Sequence, residues 1–143
     1  MRRTSLAEMP CPIARSLDLL GEWWTLLIVR DALLGARRFE DFKASGIADN
    51  ILSARLRRLV EAEVLERRPY QLHPERFEYL LTDKGRALTP VLVSLWSWGQ
   101  TWTSGRTRVQ IKHAACGHEV GIQAHCEHCG RALTPQEISV ARP

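Results

Sequence analysis

Apolar residues recur at helical spacing from Pro12 onward. Ile13, Leu17 and Leu20 form an expected inward stripe on a first helix opened by Cys11-Pro12, which puts Cys11 near the N-cap. Gly21 interrupts the run. A second helix is expected from about Trp23 to Leu34, with Trp24, Leu27, Ile28 and Leu34 inward, and Gly35 ends it. Phe39 and Phe42, three apart, mark a short third helix, and Gly46 permits a tight turn after it. In the next helix Ile51, Leu52, Leu56 and Leu59 share one side at about 100° per residue. Asn50, Ala54 and Arg57 project from the opposite side, with Ser53 beside them. The period then changes. Residues 64–68 and 77–81 read as two strands around a loop at 69–75, with Phe77, Tyr79 and Leu81 on one face and Glu78 on the other. Thr82 is an N-cap with Asp83 behind it, and Pro90 should kink or restart the helix that follows. From Pro90 to Trp102 the apolar set is Val91, Leu92, Leu95, Trp96, Trp98 and Trp102. That exceeds what one helix of a small two-layer domain must bury, so it either packs back on the first helices or pairs with a second subunit.

The pattern predicts a mostly α (α+β) fold: helices, a helix-turn-helix, a two-stranded wing and a long terminal helix. Residues 1–10 read as a flexible polar tail, 11–103 as the main domain, and 104–143 as a connector and small appendage. In that appendage two stretches share one form. His113-Ala114-Ala115-Cys116-Gly117 matches Cys126-Glu127-His128-Cys129-Gly130, each ligand-x-x-ligand-Gly. The spacing lets two side chains reach one ion from a tight turn, and Gly relieves the backbone after the second ligand. His113, Cys116, Cys126 and Cys129 give a closed Cys3His set for structural zinc, in a small metal-binding β-hairpin resembling a zinc ribbon. His118, His125 and His128 compete for the histidine position.

Composition narrows the class. The chain has 143 residues, 45% hydrophobic and 25% charged, as in an ordinary folded domain. Its net charge is +4, with most of the patch-forming arginines between Arg55 and Arg86. Nucleic acid is a natural partner for such a surface. No apolar stretch follows the N-terminal arginines and no run is long enough to span a bilayer, so a cytoplasmic protein without membrane partners is expected. In that compartment the four cysteines are not expected in structural disulfides, and the three clustered near the C-terminus point to metal.

A small helix exposing Asn, Ser and Arg suits major-groove reading, because Asn pairs with adenine and Arg with guanine. Asn50, Ser53 and Arg57 are the expected base readers. Arg58, at the flank, is expected on phosphate. Arg55 lies close to the apolar stripe, so its guanidinium should reach a phosphate or a carboxylate. Arg37 and Arg38 could touch the DNA backbone. Arg67, Arg68, His73 and Arg76 are expected at the wing tip, on the minor groove or its phosphates.

Residues 11–102 resemble the HxlR family of bacterial transcriptional regulators, relatives of MarR-type regulators. The resemblance is carried by Cys11-Pro12-Ile13, GEWWTLLIVRDALLGARRFEDF (21–42), NILSARLRRLVEAEVLERRPY (50–70), YLLTDKGRAL (79–88) and LWSWGQTW (95–102), in that order. It implies a winged helix, a homodimer formed through terminal helices, and a repressor or activator on double-stranded DNA. The tail resembles a metal-type extension carried by some members. The resemblance also implies that Cys11 could sense electrophiles or oxidants, as a Cys does at this position in some relatives. The residues alone equally allow a small buried Cys11, with Arg15 its only nearby cation. A small-molecule or electrophile effector follows from the sensor reading. Two other classes compete: a protein-docking module of winged helix and zinc ribbon, and a small zinc enzyme. The latter lacks any pocket with a general base, so no enzymatic activity is expected.

Overall fold

The computed structural model describes residues 5–105 and 109–141. The expected mobile segment at 1–4 and connector residues 106–108 lie outside the described residues. The chain divides into two compact units, Met1–Thr89 and Pro90–Pro143.

In the first unit α1 spans Pro12–Leu20, with Cys11 as N-cap, Pro12 in the first turn and Gly21 at the C-cap. Its orientation corrects the expected stripe: Ile13 is 71% exposed and Leu17 49%, and α1 contributes no fully buried residue. The better-covered row is Cys11, Ala14 and Asp18. Asp18 is there because its carboxylate accepts the Leu6 N–H at 2.8 Å and lies 3.5 Å from the Arg58 guanidinium. A polar residue holds the inward row, which counting hydrophobic positions cannot see. The same carboxylate accepts the Ser5 hydroxyl at 3.3 Å, tying the residues before α1 to it.

Helix α2 (Trp23–Leu33) buries Thr25, Ile28 and Val29, with Trp24 and Leu27 half-buried. Leu34 falls after the helix and is exposed, contrary to its expected inward place. Gly35 supplies the positive φ of 105° that turns the chain. Helix α3 (Phe39–Lys43) starts where the Asp41 carboxylate accepts the Arg37 and Arg38 N–H groups at 3.0 and 2.9 Å. The turn through Gly46 (φ 83°) buries Ile47 and leads into α4 (Asp49–Glu61). The α4 stripe is as expected: Leu52, Leu56 and Leu59 are fully buried, and Ile51 is half-buried.

Val64 and Leu65 carry the core into the wing. Strands β1 (Leu65–Leu72) and β2 (Glu75–Leu81) are antiparallel, running in register from Leu65↔Leu81 to Pro69↔Phe77. The expected loop at 69–75 is instead mostly strand. A bulge between Pro69 and Gln71 accommodates a proline that has no N–H to give, after which pairing resumes to Leu72↔Glu75. On the β2 side the Tyr79 N–H donates to the Arg37 carbonyl at 2.7 Å, latching the wing to the segment before α3. The Thr82 hydroxyl accepts the Gly85 N–H at 3.1 Å and donates to the Glu63 carbonyl at 2.6 Å, capping α5 (Asp83–Arg86). Gly85 admits no side chain: a Cβ there would lie 2.2 Å from the Val64 carbonyl oxygen.

In the second unit α6 spans Thr89–Trp102, the restart expected at Pro90. Val93 is its buried residue, whereas Val91, Leu95, Trp98 and Trp102 are exposed. The tail expected to form one β-hairpin is two separate turns. Each is closed by a single bridge, Lys112↔Glu119 and His125↔Ala132. A 3-10 turn at Pro135–Glu137 follows, where Glu137 accepts the Thr134 N–H and hydroxyl and pairs with Arg131.

Candidate nucleic-acid interface

Burial of Leu52, Leu56 and Leu59 turns the opposite side of α4 to solvent, leaving Asn50, Ser53, Ala54, Arg57 and Arg58 exposed. The three arginines of α4 are then sorted by their partners. Arg55 is largely covered, and its guanidinium pairs with the Glu22 carboxylate at 3.1 Å, the carboxylate alternative of the two expected for it. Arg58 donates to the Asp18 carbonyl and lies 3.5 Å from the Asp18 carboxylate. These contacts turn Arg58 towards α1, with its side chain still 44% exposed. Among the described residues only the Arg57 side chain of the three makes no ion pair or hydrogen bond. Asn50, Ser53 and Arg57 thus form a free polar face with three different hydrogen-bonding chemistries, on a helix whose other side is locked in the core.

Sequence reasoning missed Asp18 and Glu22 as anchors. No periodicity signals them, because Asp18 lies in α1 whereas Glu22 is the N-cap of α2, so the two acids share no helix face. The entry to α4 has a similar tie. Lys43, at the end of α3, lies 3.2 Å from Asp49 and 3.5 Å from Glu40. Its pKa is raised, first by the Asp49 hydrogen bond and then by the Asp49 charge.

The wing splits its basic residues by position. The turn is His73-Pro74, so His73 stands at the tip and Arg76, the second residue of β2, next to it, both exposed. Arg67 and Arg68 do not stand there, as expected, but pair with Tyr79 and Glu78 farther down the ladder, because the strands run longer than the hydrophobic pattern suggested. The Arg67 guanidinium lies 3.4 Å over the Phe77 ring, and Arg68 pairs with Glu66. Arg38 lies 4.3 Å over the Tyr70 ring and 3.7 Å from Glu78, bracing the wing against α3.

A helix-turn-helix with a free polar face and a braced β-ribbon beside it is the architecture of a DNA reader. The profile of the HxlR-like helix-turn-helix family matches residues 19–107. The chain belongs to the HxlR-like helix-turn-helix family. An uncharacterised HTH-type transcriptional regulator of Mycobacterium tuberculosis, Rv3095, is 39% identical over 130 residues, which cover 89% of this chain and 82% of the relative. Among solved structures, PA1607, described as a candidate transcription factor, superposes with a TM-score of 0.86 at 40% identity, covering 98% of this chain and 100% of that one. PA1374 of Pseudomonas aeruginosa, a second candidate transcription factor, gives a TM-score of 0.66 at 41% identity over 93% of this chain and 92% of its own. This HxlR-family chain is a DNA-binding transcriptional regulator with a winged helix-turn-helix, and its family is one of regulators rather than enzymes. No helix among the described residues is long and apolar enough to cross a membrane.

The other candidate residues of this HxlR-family chain are carried by other elements. Cys11 is half-buried at the α1 N-cap, and Arg15 directs its guanidinium to the Met9 carbonyl. The proposed metal ligands come together as pairs. His113 Nδ1 is 3.1 Å from Cys116 Sγ, and Cys126 is hydrogen-bonded by Cys129. The Cys129 and His128 backbone N–H groups, followed by the Cys129 side chain, hold the Cys126 thiol below its ordinary pKa. Among the described residues no three His, Cys, Asp or Glu side chains gather into one cluster.

Proposed function

We propose that two copies of this chain bind a two-fold-related operator, with α4 of each copy in a major groove. Asn50, Ser53 and Arg57 read base edges, Asn by adenine pairing and Arg by guanine pairing. His73 and Arg76 at the wing tip contact the flanking backbone or minor groove. The observation that carries this reading is the sorting of the α4 arginines: Arg55 and Arg58 are held by Glu22 and Asp18, and Arg57 is left free beside Asn50 and Ser53.

The second copy is supported by α6. Val91, Leu95, Trp98 and Trp102 are 44%, 50%, 61% and 72% exposed, and their four-three-four spacing makes one stripe. A stripe with that period is self-complementary across a two-fold axis, as in paired helices of a coiled coil. Selection of bound duplexes from a random pool tests the whole reading. A palindrome with half-sites about one helical turn apart supports it. Selection of a single unrepeated half-site removes the dimer, and failure to enrich any sequence removes base reading.

A further inference from the structure

The two turns of the tail are a structural repeat, and the repeat selects a metal-ligand set. Residues 111–120 and 124–133 correspond under a constant shift in numbering, from His113 to Cys126 and onward. Every backbone feature recurs under it. The His113 N–H donates to the His118 carbonyl at 2.8 Å, and the Cys126 N–H to the Arg131 carbonyl at 2.9 Å. The Gly117 N–H donates to the His113 carbonyl and the Gly130 N–H to the Cys126 carbonyl, both at 2.8 Å. Val120 donates to Ile111 at 3.0 Å as Leu133 does to Ala124 at 2.8 Å. The bridges Lys112↔Glu119 and His125↔Ala132 correspond, and Gly117 and Gly130 share a left-handed φ of 72° and 70°.

The repeat decides among the competing donors. Positions that carry a nitrogen or sulfur ligand in both copies are His113 with Cys126 and Cys116 with Cys129. His118 corresponds to Arg131, His125 to Lys112 and His128 to Ala115, none of which suits a metal at neutral pH. Within a copy the two donors are already adjacent, as the 3.1 Å His113–Cys116 separation shows.

A second observation says why an ion is needed. No described residue after Trp102 is buried, and only Ile111, Val120, Cys126 and Leu133 are even half-covered. Two turns without a core have too little apolar burial to offset the entropy of ordering their backbone. We propose that His113, Cys116, Cys126 and Cys129 jointly bind one structural zinc ion, which joins the two turns of the tail. The donor set fits: three thiolates and one imidazole are a common structural zinc shell, and filling all four positions leaves none for a substrate. Binding displaces the three thiol protons, so uptake is coupled to proton release. The site is independent of the DNA-reading proposal.

The experiment uses the full chain, free of any affinity tag, with metal content measured by mass spectrometry. Cobalt(II) titration of the metal-stripped protein then reports ligand type. About one zinc per chain is expected, with a tetrahedral thiolate spectrum for cobalt. Cys116→Ser, Cys126→Ser and His113→Ala each lose the ion. His113→Cys retains it and shifts the cobalt spectrum towards four sulfurs, while His118→Ala, His125→Ala and His128→Ala retain it unchanged. Zinc addition should also slow amide exchange across 111–133 in the parent chain and not in Cys126→Ser. The proposal is overturned if the reduced chain takes up no zinc, or if Cys126→Ser keeps the full complement. Loss of the ion in His118→Ala but not in His113→Ala overturns the ligand assignment.

Discussion

The winged unit and the tail are held by opposite means. In the winged unit Ile28, Val29, Phe42, Ile47, Leu52, Leu56, Leu59, Val64 and Leu65 form a core, and capping bonds and ion pairs tidy its ends. The tail beyond Trp102 has no buried residue among those described and takes its shape from backbone bonds within two repeated turns. A core fixes what faces inward and so decides what α4 offers to a ligand. A coreless tail can only arrange donors locally, and under the zinc proposal a bound ion supplies the rest. One chain thus joins a cored winged unit to a coreless tail.

The largest expected effect is in the core. Leu56→Ala removes a fully buried side chain of α4 and should cost the winged unit about 2–5 kcal/mol in chemical denaturation. Leu133→Ala, the same change in a half-covered tail position, should move that transition by no more than about 0.5 kcal/mol. Equal losses would erase the contrast between the two regions. Gly85→Ala comes next. Its Cβ would meet the Val64 carbonyl, and the forced shift should cost about 1–3 kcal/mol, read as a lower melting temperature. Thr82→Ala, which loses the α5 cap, should cost about 1 kcal/mol, whereas Thr82→Ser should recover most of it.

The smallest effect sharpens the electrostatic side. The Arg37 and then the Arg38 N–H groups hold the Asp41 carboxyl below its ordinary pKa. The stabilisation is complete above the unfolded-chain value of about 3.9 and is lost as pH falls through the lowered folded value. Asp41→Ala should therefore flatten the acid side of the stability profile and leave its shape near neutrality unchanged. An identical acid limb in parent and variant would show that the cap contributes nothing.

Legibility in the sequence followed the same division. The α4 stripe, the Gly35 and Gly46 turns, the Thr82 cap and the restart at Pro90 were all readable, because each rests on local periodicity or on one residue's backbone preference. Helix α1 was not, because Asp18 occupies its covered row and Ile13 faces out. The wing was read short because Pro69 normally ends a strand, and only pairing with Phe77 across a bulge shows that it does not. Arg58 could not be placed from α4 alone, since its partner is 40 residues away in sequence. The ligand spacing of the tail was plain, and the matched stretches at 113–117 and 126–130 already favoured His113, to which the structure adds the matched backbone bonds of the two turns.

The central claim is that Arg57, alone of the α4 arginines, reads a base. Its direct test is the affinity of Arg57→Ala for the selected operator and for every single-base variant of it. The account predicts a loss of about 1–3 kcal/mol on the operator with preference relaxed at one position per half-site, the other positions unchanged. A variant that keeps the parent's preference at every position, or that weakens equally on all sequences, would contradict it.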